Sequence, residues 1–239
     1  MSDVPNPLLQ PYMKLPEFLG NALGPDYEVV LHDMTDKSKA IIAIANGYVS
    51  GREVGAPPTN MGLSILKGKK HETQDYLLHY SGVSGTGKEL RCNSMFIKHE
   101  GELIGMLCIN FNDSRYRALG NRIMSLCHPD LFLAEPLPTP AQLIKSESSK
   151  ADPGPERFPT STDVVAMDAL NRELERLGVQ AERLTAEERL EIISVLEEDG
   201  LFLLKGTVKE VAEGLCCSKA SVYRYLAQIR GEGGAVAGK

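Results

Sequence analysis

Cysteine is scarce in this sequence, and its spacing excludes the class of small secreted domains held together by disulfides. The 239 residues contain five cysteines, which are scattered apart from one adjacent pair: Cys92, Cys108, Cys127, Cys216 and Cys217. An odd number at this spacing does not pair into a disulfide framework. We therefore expect reduced thiols in a cytosolic protein, with buried and inert packing as their default role.

Long hydrophobic runs are also missing. No apolar stretch of the sequence approaches the roughly 18 residues that a membrane-spanning helix needs. Residues 1–10 contain neither the basic segment nor the apolar segment of a secretory signal. These absences predict a cytoplasmic protein with no membrane partner.

The signatures of metal, nucleotide and nucleophile chemistry are absent or incomplete. His71 and His79 lie eight residues apart, without a pair of closely spaced cysteines beside them. Residues 82–89 nearly match a phosphate-binding loop, but Glu89 replaces the hydroxyl that would hold Mg²⁺, and a strand follows where a helix is needed. We interpret residues 82–89 as a hairpin loop. The sequence therefore predicts no metal, no cofactor and no catalytic residue.

Charge is distributed unevenly along the chain. The net charge is −6, but the segment from Leu201 onward carries six Lys/Arg against three Glu, a net of +3, so the first 200 residues carry −9. A basic module joined to an acidic body is the arrangement expected of a DNA-binding protein with a separate sensor. Because an excess of three charges is small, this pattern supports DNA binding without establishing it.

A Pro- and Ser-rich stretch divides the chain. Residues 145–155 have almost nothing to bury and cannot offset the entropy of ordering them. We predict a sensor domain at 1–133, a flexible linker at 134–162, a connecting or dimerisation helix at 163–180 and a helix-turn-helix domain at 181–239.

The first domain combines strand and helix patterns. Short β-branched runs predict strands at Tyr27–Asp33, Lys39–Asn46, Tyr76–Gly82, Arg91–Lys98 and Leu103–Phe111. Residues 99–102 predict a short hairpin turn and hence antiparallel pairing. Helical patterns cover Leu8–Leu23 and Thr59–Lys67. The sequence predicts an α+β domain with an antiparallel sheet, followed by a small all-α domain.

The first helix after the linker carries one apolar stripe, formed by Met167, Leu170, Leu174 and Leu177. Two interpretations are open. The stripe packs on the sensor or on the DNA-binding domain, or it forms a short dimerising helix, for which so brief a heptad pattern is weak support.

Capping signals divide the remaining residues into three helices. Thr185 and Glu188 predict a capping box, and Gly200 a left-handed end to that helix. Thr207 and Glu210 predict a second capping box. Ser218 is the expected N-cap of a third helix, Lys219–Ile229. Residues 214–217 form the turn before it, in which Cys216 takes the position usually given to Gly.

Two short helices joined by a tight turn at this spacing are typical of a helix-turn-helix, whose second helix enters the major groove of DNA. The pattern assigns Lys219, Ala220, Tyr223 and Arg224 to base edges. It assigns Ser218, Ser221 and Tyr225 to phosphates. The alternative is a plain helical hairpin with a solvated basic face.

A polar, glycine-rich loop follows the second predicted strand. It contributes Asn46, Ser50, Arg52 and Thr59 near His32 and Asp33. Arg52 can bind a carboxylate with two hydrogen bonds, and Asp33 can meet an amino or guanidino group. These residues predict a site for an amino-acid-like ligand. The alternative is a structural loop whose polar groups satisfy its own backbone.

Segments of both halves resemble a known family. The first domain resembles the YheO-type PAS-like domain at Leu19–Pro25, Val29–Asp33, Ile44–Arg52 and Met106–Phe111. The C-terminal residues are similar to the helix-turn-helix that accompanies it, so the resemblance omits only the linker. Members are transcriptional regulators, and one branch includes the D-arginine utilisation repressor. The resemblance implies a PAS-like sheet, a small-metabolite signal and an oligomer.

The sequence therefore predicts a DNA-binding transcriptional regulator, with repression the expected direction, that is controlled by a small-molecule effector. Its partners are double-stranded operator DNA and a second copy of the chain, because one helix-turn-helix covers too few bases to select a site. A homodimer or a higher even oligomer is expected. The alternative is an enzyme built on the sheet domain, with the helical tail used for oligomerisation.

Overall fold

The first half of the chain forms one sheet whose strands follow the β-branched runs of the sequence. The computed structural model describes residues 5–36, 38–127 and 155–233. Its strands are β1 (Tyr27–Asp33), β2 (Ile41–Ala45), β3 (Tyr76–Val83), β4 (Glu89–His99), β5 (Glu102–Phe111) and β6 (Glu156–Arg157). They lie in the order β2-β1-β5-β4-β3-β6, and every pair is antiparallel except β3–β6.

Two hairpins set the register of the central strands. β4 and β5 are joined at Glu100 and Gly101, whose φ angles of +50° and +86° are the left-handed pair that a two-residue turn requires. β3 and β4 are joined by a loop in which the Ser84 amide donates to the Lys88 carbonyl oxygen at 2.8 Å. This second loop is the near match to a phosphate-binding motif, and the structure shows a hairpin followed by a strand.

Helices cover both faces of the sheet. A 3-10 helix (Pro7–Tyr12) and α1 (Leu15–Leu23) pack on one face, where Leu9 and Leu31 are fully buried. α2 (Asn60–Lys67) packs on the other face, and α3 (Ser114–Cys127) follows β5. The prediction of one helix over Leu8–Leu23 is wrong in this detail, because Pro16 cannot donate an amide to the preceding turn and instead lies in the first turn of α1.

The predicted linker is partly built into the sensor. Residues 128–154 lie outside the described residues, and so does most of the 134–162 stretch. Residues 155–162 differ from the flexible linker that was expected: they form β6 on the edge of the sheet and then enter a helix. Phe158 is the physical reason, since its ring is buried against Leu90 and Cys92.

The second half of the chain is helical. It consists of α4 (Thr162–Leu177), α5 (Ala186–Glu198), α6 (Thr207–Gly214) and α7 (Lys219–Gly233). The apolar stripe of α4 packs into this helical core, where Leu170 is fully buried and Leu174 and Leu177 are half-buried. Of the two interpretations of the stripe, the structure favours packing on the DNA-binding domain.

Of the two predicted capping boxes, the first is present in the structure and the second is absent. Thr185 and Glu188 form the predicted capping box of α5, and Gly200 (φ +79°) follows that helix in the left-handed conformation. The second predicted capping box is wrong, because Gly206 is the N-cap of α6. Thr207 is buried, and its hydroxyl donates to the Leu204 carbonyl oxygen at 2.9 Å.

The two halves meet through α2. Leu63 of α2 is buried in the helical core. Next to it, the Lys67 ammonium contacts the Glu197 carboxylate at 3.2 Å, and Arg230 contacts the same carboxylate at 3.1 Å. In the part of the chain that the structure describes, every helix is too short or too polar to cross a membrane.

Candidate DNA-binding interface and sensor site

The turn between α6 and α7 has the geometry of a helix-turn-helix. Cys216 lies in the left-handed region with φ +51°, the position at which glycine is usually favoured. The Cys217 amide donates to the Ala212 carbonyl oxygen at 2.9 Å, which closes the turn. The Ser218 hydroxyl then accepts from the Ser221 amide at 3.1 Å, so Ser218 caps α7 as predicted.

Gly214 has a role that the sequence did not reveal. Its φ is not left-handed, but a Cβ at this position would overlap the Cδ2 atom of Leu170 on α4. The glycine therefore allows α4 to lie directly against the last turn of α6. No local pattern announces this requirement, because it depends on a helix some 40 residues earlier.

The outer face of α7 collects most of the predicted DNA-binding residues. Lys219, Ala220, Tyr223 and Arg224 are exposed together on it, while Val222 and Leu226 face the core. Ser218 is exposed at the helix start, and Ser221 is half-buried. The structure thus presents the residues predicted to contact bases on one surface.

Tyr225 differs from the predicted phosphate contact. Its side chain is 8% exposed and belongs to the helical core. The Arg224 guanidinium lies over its ring, 5.3 Å from the centroid, which restrains the arginine beside the exposed face. Sequence reasoning also missed Gln228, which is exposed one turn after Arg224; the four-residue spacing could have identified it.

Two of the predicted ligand-binding residues hold the backbone of the sensor. The Asn46 amide group donates to the carbonyl oxygens of Gly24 at 3.2 Å and Tyr27 at 2.8 Å. The Asp33 carboxylate accepts from the amides of Asn6 at 2.8 Å and Thr35 at 2.9 Å. These bonds favour the structural interpretation for Asn46 and Asp33, since their polar groups are already engaged by main chain.

The other predicted residues converge inside the sensor. The Arg52 side chain is 2% exposed, and its guanidinium donates to the carbonyl oxygens of Pro57 and Pro159. The Ser50 hydroxyl donates to the Glu28 carboxylate at 2.6 Å. The Thr59 hydroxyl donates to the Glu156 carboxylate, also at 2.6 Å. His32 is buried beside them, with its Nδ1 atom 3.7 Å from the Cys108 sulfur.

These side chains belong to one buried polar cluster. We define it by the following residues: Glu28, His32, Ser50, Arg52, Thr59, Tyr80, Cys92, Ser94, Cys108, Asn110 and Glu156. Glu28 and Glu156 were not among the predicted site residues. Ser94 and Asn110 could have been found, because each is a buried polar residue at an inward position of an otherwise apolar strand.

Burial and one central cation control the electrostatics of this cluster. Burial raises the pKa of Glu28 and of Glu156. Hydrogen bonds from Ser50 and Asn110 at Glu28, and from Thr59 at Glu156, partly offset that rise, and the Arg52 charge adds a smaller effect at both carboxyls. Burial, together with the Arg52 charge, lowers the pKa of His32 to about 3. The imidazole is therefore neutral near pH 7, and Arg52 is the cation around which the two carboxylates are arranged.

The cluster is not arranged for nucleophilic or metal chemistry. Burial raises the pKa of the Cys108 thiol to about 12 and raises that of Cys92 as well, so both thiols stay protonated near neutral pH. Among the described residues, no three His, Cys, Asp or Glu side chains are grouped to hold a metal ion. What remains is a set of hydrogen-bonding groups around Arg52, which suits recognition of an anion.

Two family models match this chain, one in each half. A family model described as the YheO-like PAS domain matches residues 3–128, and a model described as an HTH domain matches residues 166–227. The uncharacterized protein YheO of Escherichia coli K12 is 25% identical over 93% of this chain and 85% of its own length. The transcriptional regulator DauR of Pseudomonas aeruginosa is 28% identical over 98% of this chain and 100% of its own length.

Proposed function

The chain belongs to the family of the YheO-like PAS domain and joins that domain to a helix-turn-helix, and from this we propose a transcriptional repressor controlled by a small metabolite. The chain is a DNA-binding transcriptional regulator. We propose in addition that it represses transcription, that a metabolite controls it, and that it acts in the cytoplasm, where operator DNA is found.

The exposed face of α7 is the observation that carries the proposal. Lys219 and Arg224 are exposed there, whereas Arg230, on the same helix, is engaged by the Glu197 carboxylate at 3.1 Å. Arg224 and Lys219 are therefore the cations of α7 that are positioned to meet DNA. Because this face is exposed without any rearrangement of the sensor contacts, occupation of an operator and thus repression is the simplest consequence.

A mobility-shift titration with promoter fragments tests this proposal. Arg224→Ala should weaken binding to the operator by about 10- to 100-fold if it contacts a guanine edge. Arg183→Ala, outside α7, is the matched control and should leave the affinity unchanged. Equal operator affinity of the parent protein and of the Arg224→Ala, Lys219→Ala double variant would remove α7 from the interface.

The effector site is proposed at the buried polar cluster, beneath the loop that carries Ser50, Arg52 and Thr59. Support comes from the convergence of these three side chains with His32 on the inner face of the sheet. A small carboxylate-bearing, amino-acid-like metabolite fits a site centred on an arginine. Calorimetry of the full chain with candidate metabolites, repeated with Arg52→Ala, tests this placement: equal affinity in both proteins would contradict it.

We also propose that the regulator acts as a dimer, and that α3 is its contact with a second copy. Five large apolar side chains of α3 are exposed, and all but Met124 lie at alternating steps of three and four residues: Tyr116, Leu119, Ile123 and Leu126. This is the spacing of a helix that pairs with another helix. The stripe of α4 is already used by the helical core, so α3 is the better candidate.

A further inference from the structure

The Glu156 carboxyl group belongs to the buried polar cluster but comes from the segment that joins the two halves of the chain. It lies on β6, after residues 128–154, and its side chain is 4% exposed. Its Oε1 atom accepts from the Thr59 hydroxyl at 2.6 Å. Its Oε2 atom makes no hydrogen bond of normal geometry among the described residues, and the nearby Tyr80 hydroxyl and Cys92 thiol act only as weak donors that lower the pKa of this carboxyl. A buried carboxyl oxygen without a well-formed hydrogen bond is costly, so the cluster satisfies Glu156 imperfectly.

A short segment holds Glu156 in place. We call residues 155–159 the strap. It pairs with β3 at only two positions, Gly82↔Glu156 and Val83↔Arg157. The Asn60 side chain fastens it at both ends of the pair, by donating to the Pro155 carbonyl oxygen at 3.3 Å and accepting from the Arg157 amide at 2.7 Å. So small a ladder can separate from the sheet without unfolding it.

The strap supplies hydrogen-bond acceptors to two buried donors, the Thr59 hydroxyl and the Arg52 guanidinium. We call the place between these donors the anion position. Glu156 accepts from Thr59, and the Pro159 carbonyl oxygen accepts from the Nε atom of Arg52 at 3.1 Å. If the strap separated, the Thr59 hydroxyl and the Arg52 guanidinium would lose these acceptors inside the protein. One free carboxylate could replace both, since it offers two oxygens to a guanidinium and a hydroxyl.

We propose that the strap is the resident occupant of an anion site, with the Glu156 carboxyl group on Thr59 and the Pro159 carbonyl oxygen on Arg52, and that a small carboxylate metabolite binds there by displacing the strap. This inference rests on the proposed metabolite control, because it names the contact with which the metabolite competes. It also gives a route for the signal. The strap runs into α4, whose Leu170 is buried in the core beneath the helix-turn-helix, so displacing the strap releases the start of that helix.

Chemical rescue with acetate tests the site in the full chain. Glu156→Ala removes a CH₂COO⁻ group, which acetate matches in size and charge. Acetate at about ten times its Kd should raise the Tm of Glu156→Ala by about 3–6 °C. The same concentration of acetamide should raise it far less. Arg157→Ala is the matched control, because Arg157 lies on the same strap with its side chain exposed. An acetate shift no larger in Glu156→Ala than in Arg157→Ala and the parent protein would overturn the site.

A second variant keeps the proposal testable if Glu156→Ala does not fold. Asn60→Ala removes the two hydrogen bonds that fasten the strap and leaves Glu156, Thr59 and Arg52 unchanged. Hydrogen exchange of a peptide covering residues 155–159 should then become several-fold faster when acetate is added, because acetate competes with Glu156. Exchange that is unaffected or slowed by acetate would overturn displacement.

Mobility-shift assays of the same proteins distinguish failure of the anion site from failure of the proposed DNA-binding function. Operator binding by the parent protein together with failed acetate rescue would overturn the anion site and leave the regulator standing. Rescue by acetate in a protein that binds no promoter fragment would confirm the anion site and overturn the proposed function.

Discussion

Replacing Gly214 with alanine should destabilise the helical half, and the loss should depend on Leu170. Both residues are buried or half-buried where α4 crosses the end of α6, and an added Cβ would overlap the Leu170 side chain. Alanine favours a helix over glycine by up to about 1 kcal/mol. Overpacking a tight contact costs about 1–3 kcal/mol. The steric term is the larger, so a net loss of about 1–2 kcal/mol is expected.

A double-mutant cycle isolates that steric term. Leu170→Ala alone should cost about 2–5 kcal/mol, because the side chain is fully buried. In the Leu170→Ala background the added methyl group has room, so Gly214→Ala should become neutral or stabilising. The free energies of unfolding come from urea titrations followed by far-ultraviolet circular dichroism.

Gly231 supplies the control for helix propensity. It lies in α7 with open space around its Cα, so Gly231→Ala should stabilise the protein by up to about 1 kcal/mol in either background. The reasoning is refuted if Gly214→Ala has the same effect with Leu170 as without it, since the two sites would then not be coupled.

Three further outcomes follow from the structure. Thr185→Ala should cost about 1 kcal/mol by removing the capping box of α5, and an unchanged urea midpoint would contradict that role. Because burial lowers the pKa of His32 to about 3, the folded state should lose about 2 kcal/mol as the pH falls from 7 to 5, and His32→Gln should lack that part of the dependence in urea titrations at both pH values. Leu119→Lys on α3 should convert a dimer to a monomer by light scattering, whereas Met167→Lys on α4 should leave the dimer intact; the reverse result would place the interface on α4.

The sequence patterns correctly predicted strands and helix starts that depend on neighbouring residues in the chain. The bounds of β1 match the predicted strand residue for residue, and Thr59 caps α2 where the pattern placed its start. β6 was missed because a strand of two residues is too short to show an alternating hydrophobic pattern. It depends instead on the contacts of Phe158 and Glu156 with residues distant in the sequence. α3 was missed for the opposite reason: no residue of that helix is buried, so no core partner marks it.

The sensor site shows why polar loop residues are hard to assign from sequence. Asn46 and Arg52 lie in the same glycine-rich loop, and both are polar residues suited to bind a ligand. The structure uses Asn46 to hold the carbonyl oxygens of Gly24 and Tyr27, and buries Arg52 among carboxylates. Acceptors distant in the sequence distinguish the two roles: Gly24 and Tyr27 for Asn46, and Pro159 for Arg52.

The contact of Leu63 with the helical core limits how this protein can be recombined with others. A chimaera built by cutting near residue 161 would carry α4 to α7 onto a foreign sensor, but the part of the helical core that surrounds Leu63 would then lack this side chain. The foreign sensor would need an aliphatic residue at that place, or the graft would have a cavity where α2 had packed. Successful exchange of sensors among such proteins therefore depends on matching one helix of the donor, however the linker is chosen.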